Sequence, residues 1–111
     1  MRQRKIDKIL DDAILLWGKP AQIGQLHEEI GELLQALNKV NRAKDAQQAE
    51  QAYINLIDEY VDLEIMLEQL FRMLPPYIAG EQKHSIYEFR RNCKLERLEK
   101  RIEQFKESKK N

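Results

Sequence analysis

The chain is poor in the residues that cross-link, punctuate or anchor a polypeptide. A single cysteine among 111 residues, Cys93, excludes an intramolecular disulfide and predicts a reducing compartment. No activating neighbour for a thiolate is identifiable, so Cys93 reads as a packing residue. Three prolines and four glycines leave long stretches without a breaker. No apolar run approaches the ~20 residues needed to cross a bilayer. The opening "MRQRKIDKILDD" is charged throughout and lacks the apolar run of a signal peptide, which predicts a cytoplasmic protein with no membrane partner. An excess of one charge is missing too. Nineteen basic residues balance nineteen acidic ones, so net charge points to no nucleic acid polymer as partner.

What is present is helical rhythm. A chain of this length builds one modest core, which predicts a single domain over 1–111. Ile6, Ile9, Leu10, Ala13, Ile14 and Trp17 recur at helical spacing over about residues 3 to 17, and "GKP" at 18 to 20 ends that segment. A second helix is expected from about Ala21 to Asn41, with Leu26, Ile30, Leu33, Leu37 and Val40 as its apolar stripe. Asp45 followed by Gln48 resembles a capping box and starts a third helix near Ala46. Tyr53, Leu56, Tyr60, Leu63, Leu67, Leu70, Phe71 and Leu74 form its apolar face, and Pro75-Pro76 stops it. "PPYIAGEQKHS" reads as a loop able to fold over a neighbouring site. A basic fourth helix spans about 85 to 107, carrying Ile86, Phe89, Cys93, Leu98, Ile102 and Phe105. Nothing reads as a strand. The expected class is all-α, an antiparallel bundle of about four helices completed by oligomerisation, with an acidic core at 21–74.

Two of these helices carry acids at matched places. On a wheel of about 100° per residue, Glu29 lies about 60° from Leu26 and Glu32 about 120° to the same side. Glu59 and Asp62 stand in the same relation to Leu56. Packed antiparallel, the two helices would bring four carboxylates to one strip beside the core. Two like charges about 4 Å apart repel by roughly 4 kcal/mol at an effective dielectric near 20. A divalent cation removes that penalty. Oxygen-only ligation without cysteine or histidine suits Mg²⁺, or Mn²⁺, better than Zn²⁺. The ordinary alternative is a solvated helix face with i+4 ion pairs, but the positions four residues after Glu28, Glu29, Glu32, Glu59 and Asp62 hold no Lys or Arg. A di-iron site is disfavoured because neither segment contains Glu-x-x-His. His27 and His84 read as ordinary polar or loop residues.

"EEIGE" at 28–32, followed after 26 residues by "EYVD" at 59–62, resembles the signature of the MazG-like all-α nucleoside triphosphate pyrophosphohydrolases. The likeness covers about residues 14 to 71 and continues less specifically through "KLERLEKRI", similar to the basic C-terminal helix of small phage- and firmicute-type members. It implies hydrolysis of a (d)NTP to the monophosphate and pyrophosphate, in the manner of nucleotide-pool housecleaning, with Mg²⁺ ligated by Glu29, Glu32, Glu59 and Asp62. Glu28 matches the first acid of the motif. It lies about 160° from the apolar stripe, and either reaches an outer metal, orients water or is simply solvated.

The resemblance also suggests that Trp17 stacks near a nucleobase, although a core anchor is the competing reading. Gln22 and Gln25 precede the acids, and Asn55 and Met66 share the acidic strip, so these are candidates for base or sugar contacts. Lys94, Arg97 and Arg101 could meet phosphates, against the alternative of a solvated basic face. Gly31, opposite the acids, would let another helix approach, in keeping with a homodimer or homotetramer. The rival from another class is a non-catalytic helical interaction module that retains the acidic helices.

Overall fold

The computed structural model describes residues 1–110 and contains four helices: α1 (Gln3–Trp17), α2 (Lys19–Asn41), α3 (Ala46–Met73) and α4 (Lys83–Ser108). Between α3 and α4 lie two short strands, β1 (Tyr77–Ile78) and β2 (Glu81–Gln82). The class is all-α, as expected. The chain divides into two compact units, one from Met1 to Leu74 and one from Pro75 onward.

In the first unit, α2 and α3 form an antiparallel hairpin, and α1 packs on both. The sequence explains each boundary. Gly18 ends α1 with φ +85°, its N–H bonding to the Ile14 carbonyl, and at the same residue the chain turns into α2. That left-handed conformation suits glycine. Pro20 does not delay the second helix. It falls within the first turn, where no amide partner is needed, so α2 begins at Lys19 rather than near Ala21. Asp45 caps α3, its Oδ1 accepting from Gln48 N–H at 2.7 Å, while Gln48 Oε1 accepts from Lys44 N–H at 3.0 Å.

Helix α1 is held by Leu10, which is buried, and by Arg72 of α3, which donates to Asp7 Oδ1 at 2.5 Å and Asp11 Oδ1 at 3.2 Å. Gln22 of α2 adds a bond from its Nε2 to the Ala13 carbonyl at 3.2 Å.

The seam between α2 and α3 is rotated from its expected position. On α2 the least exposed side chains are Gln22, Leu26, Glu29, Leu33, Ala36 and Val40, alternating four and three apart. On α3 they are Ala49, Ala52, Leu56, Glu59, Leu63, Met66 and Gln69, followed by a last turn in which Leu70, Phe71, Arg72 and Met73 are all partly buried. Ile30 and Leu37, expected in the core, are exposed, as are Tyr53, Tyr60, Leu67 and Leu74. Leu26, Leu33 and Val40 are shared by the expected and observed stripes, and the smaller Ala36 replaces Leu37. The rotation carries Glu29 and Glu59 from beside the core into its rhythm.

The second unit corrects two further expectations. Tyr77 pairs with Gln82 and Ile78 with Glu81 around Ala79 and Gly80, whose φ values of 52° and 80° fit a two-residue hairpin turn. The segment expected as a plain loop is therefore a minimal ladder, too short to show alternation in sequence. Helix α4 starts at Lys83, two residues before the expected position. None of its residues is buried, and Cys93, expected to pack, is exposed.

Candidate metal centre and its flanking cavities

Midway along the α2–α3 seam, Glu29, Glu59 and Asp62 each present a carboxylate oxygen within 4.8 Å of the other two. Glu29 is buried, Glu59 partly so, and Asp62 is exposed, so the cluster grades from core to solvent. Helical spacing places Glu59 and Asp62 on neighbouring turns of one face, while antiparallel packing sets Glu29 opposite them. Gln25, one turn before Glu29, donates its Nε2 to Glu29 Oε1 at 2.7 Å and fixes that carboxyl. Glu29 Oε2 and Glu59 Oε2 are buried without a donor. A buried acceptor left unpaired costs about 1–3 kcal/mol, and more when charged.

Burial raises the Glu29 carboxyl above its ordinary value of 4.5. The Gln25 bond opposes this, while the charges of Glu32 and Asp62 reinforce it. Glu32 is also raised, first by its hydrogen-bonding contact with Glu59, then by the Glu59 charge, desolvation and the Glu28 charge, with a bond to Glu29 acting the other way. Glu32 thus joins the rim of the cluster, although it lies outside the tightest triad. Glu28 is exposed and acts on it through Glu32. The donor set is hard, anionic and free of sulfur and imidazole, and two of its oxygens lack partners. Those are the properties a magnesium- or manganese-sized cation requires.

Two cavities flank the acids along the seam. One, of about 320 Å³, is lined by Glu32, Gln35, Ala36, Lys39, Asn55, Asp58 and Glu59. Asn55 is oriented there by a 3.1 Å bond from Gln51 Nε2 to its Oδ1. The other, of about 470 Å³, is walled by Trp17, Ala21, Gln22, Gln25, Met66 and Gln69. Both volumes fall in the range of small-molecule sites, about 300–1,000 Å³. Trp17 is 64% exposed, which removes the core-anchor reading and leaves its indole as part of a cavity wall.

Gln22, Gln25 and Met66 therefore gather in one cavity and Asn55 in the other. Lys94, Arg97 and Arg101 lie exposed on α4 in the second unit. Sequence reasoning missed Lys39, the sole cation lining the smaller cavity, and Gln69, which is 5% exposed with an unpartnered Oε1. The signal for Gln69 was available: it continues the Leu56–Leu63–Met66 stripe, where a polar residue is out of place.

Among the described residues no helix is long and apolar enough to cross a membrane. Set against family models, curated proteins and solved structures, the chain matches none.

Proposed function

We propose that the protein is a Mg²⁺-dependent nucleotide pyrophosphohydrolase that converts a (d)NTP to the monophosphate and pyrophosphate, and that it belongs with the MazG-like enzymes its acidic motif resembles. The observation that carries this reading is the triad of Glu29, Glu59 and Asp62, converging within 4.8 Å with two orphaned buried oxygens. Glu29, Glu59 and Asp62 would hold Mg²⁺, with Glu32 completing the ligand set at the rim. Bound there, the ion would neutralise triphosphate charge and lower the pKa of a coordinated water.

The remaining chemistry falls to side chains. Gln25 holds Glu29 in place through their 2.7 Å bond. Glu28 biases Glu32 by charge. Trp17, Gln22, Gln25 and Met66 offer an apolar and amide-lined recess for a base, while Lys39 and Asn55 stand at the opposite end of the acids, where a cation suits a phosphate.

Pyrophosphate release from a panel of (d)NTPs, with and without Mg²⁺, tests the assignment. Metal-dependent product from at least one nucleotide is expected. Its absence from all of them would leave the helical interaction module as the better description.

Assembly as a homodimer or homotetramer forms part of the same proposal. Ile30, Leu34 and Leu37 on α2, and Ile54, Ile57 and Val61 on α3, form apolar stripes between 40% and 61% exposed. A side chain built at Gly31 would meet nothing within 4 Å, so space remains on that face for a second copy.

A further inference from the structure

Two apolar rows in the chain lie open to solvent and end in charges of opposite sign. On α3, exposed Ile54, Ile57 and Val61 form one row, which exposed Glu50 precedes and exposed Glu64 and Glu68 continue. Ile57 lies about 160° around the helix from Glu59, so this face is turned away from the acid cluster. On α4, Leu95, Leu98, Ile102 and Phe105 are between 47% and 63% exposed. That row ends on Arg91 and on Lys109, the residue that closes the helix. Both rows step by four, three, four, three and four residues, from Glu50 to Glu68 and from Arg91 to Lys109. Each therefore covers about 27 Å of helix. One row holds acids at both ends and no base, the other bases at both ends and no acid. Glu50, Glu64, Glu68 and Arg91 take part in none of the ion pairs that the described residues form.

We propose that α4 of a second copy docks along this face of α3, apolar row on apolar row, with the acids at the ends of one meeting the bases at the ends of the other. The inference rests on the assembly part of the proposed function and names the surface that carries it. Alternating steps of three and four are those of a two-helix seam. Pairing α3 with α3, or α4 with α4, along these rows would set like charges together at both ends, which disfavours the wrong partner. Pairing α3 with α4 sets opposite charges together at both. The spacing reads the same from either end, so this holds whichever way the helices run. Glu64 falls within the α3 row, and Lys94 and Arg101 flank the α4 row, so that acid too meets a basic margin. Twofold symmetry makes the contact twice, α3 of each copy receiving α4 of the other.

Sedimentation velocity of the full chain at micromolar concentration, with two charge-reversed variants, tests the docking. Glu50→Lys with Glu68→Lys makes the α3 row basic at both ends, and Arg91→Glu with Lys109→Glu makes the α4 row acidic. Wild type is expected to be a dimer or a higher assembly. Each reversed variant should self-associate at least about tenfold more weakly. An equimolar mixture of the two should associate as wild type does, because every seam of the mixed dimer again pairs opposite signs. Reversals that leave assembly unchanged overturn the docking of α4 and leave the assembly reading standing on another face. Weakened variants whose mixture stays monomeric overturn it as well, since the charges then act within one chain. A monomeric wild type sinks the assembly reading together with the docking and leaves the acid site untouched. Helical circular dichroism checks that each variant folds. Should one fail to fold, wild type alone decides: its self-association should weaken as salt rises from about 50 to 500 mM, and a salt-independent constant overturns the docking.

Discussion

Glu29 and Glu59 stand where the helical rhythm calls for apolar side chains, and each holds a buried oxygen without a donor. An arrangement that costs stability in isolation points to something that offsets it on binding. Because Glu29 is raised mainly by burial, the folded chain holds its proton more tightly than the unfolded chain does. The contribution of this group to stability is therefore greatest below the ordinary value of 4.5 and falls as pH rises through the raised one. In chelator-treated protein, Glu29→Gln should flatten that decline and raise Tm near neutral pH by about 4 °C, the shift that ~1 kcal/mol gives a domain of this size. Melting curves across pH would show it, and an unchanged slope would remove Glu29 from the electrostatic account.

Asp7 behaves in the opposite sense. Its bond from Gln3, then that from Arg72, holds the carboxyl below 3.8, so the stability it adds is present above that range and lost as pH falls through the lowered value. Asp7→Asn should accordingly remove part of the acid sensitivity measured in the same melts, leaving the neutral-pH slope untouched.

The helices themselves were largely legible. The ends of α1 and α3 follow from Gly18, Asp45 and Pro75, whose local chemistry acts whatever the tertiary context. The hairpin of β1 and β2 was not legible, because two residues per strand carry no period and the turn uses Ala79-Gly80 in place of a stronger turn pair. The rotation of the α2 stripe was also hidden. A wheel weights bulky residues, and Ile30, Leu34 and Leu37 pull its apolar direction away from the seam that Ala36 and Glu29 actually occupy. Spacing sets Glu29 on one helix against Glu59 and Asp62 on the other, whereas the depth of Glu29 depends on which of two apolar stripes meets α3.

Two substitutions test the element boundaries. Gly18→Ala meets open space, its nearest new contact being Pro20 Cδ at 3.9 Å, so any loss reports the positive φ alone and should be about 1 kcal/mol or slightly more. Asp45→Ala should cost about 1 kcal/mol by removing the cap on α3. Denaturant titration measures both, and a neutral Asp45→Ala would mean that water replaces the cap without loss.

At the scale of the whole molecule, the second apolar stripes matter most. Ile57, 61% exposed, and Leu34, 56% exposed, are more open than a lone soluble chain ordinarily leaves such a contiguous face. Sedimentation of the wild type should give a dimer or tetramer, and Leu34→Glu combined with Ile57→Glu should shift it toward monomer while retaining helical circular dichroism. A wild-type monomer at micromolar concentration would dissociate the assembly proposal from the acid-site proposal, which stands on α2 and α3 of one chain.

Titration of Mn²⁺ against the protein, with free ion followed by its electron paramagnetic resonance signal, reaches the acid site most directly. Wild-type protein should deplete the free-ion signal saturably, and Glu59→Gln should restore it while keeping the helical content. Equal uptake by the two proteins, or none by the wild type, would contradict a cation held in the α2–α3 seam.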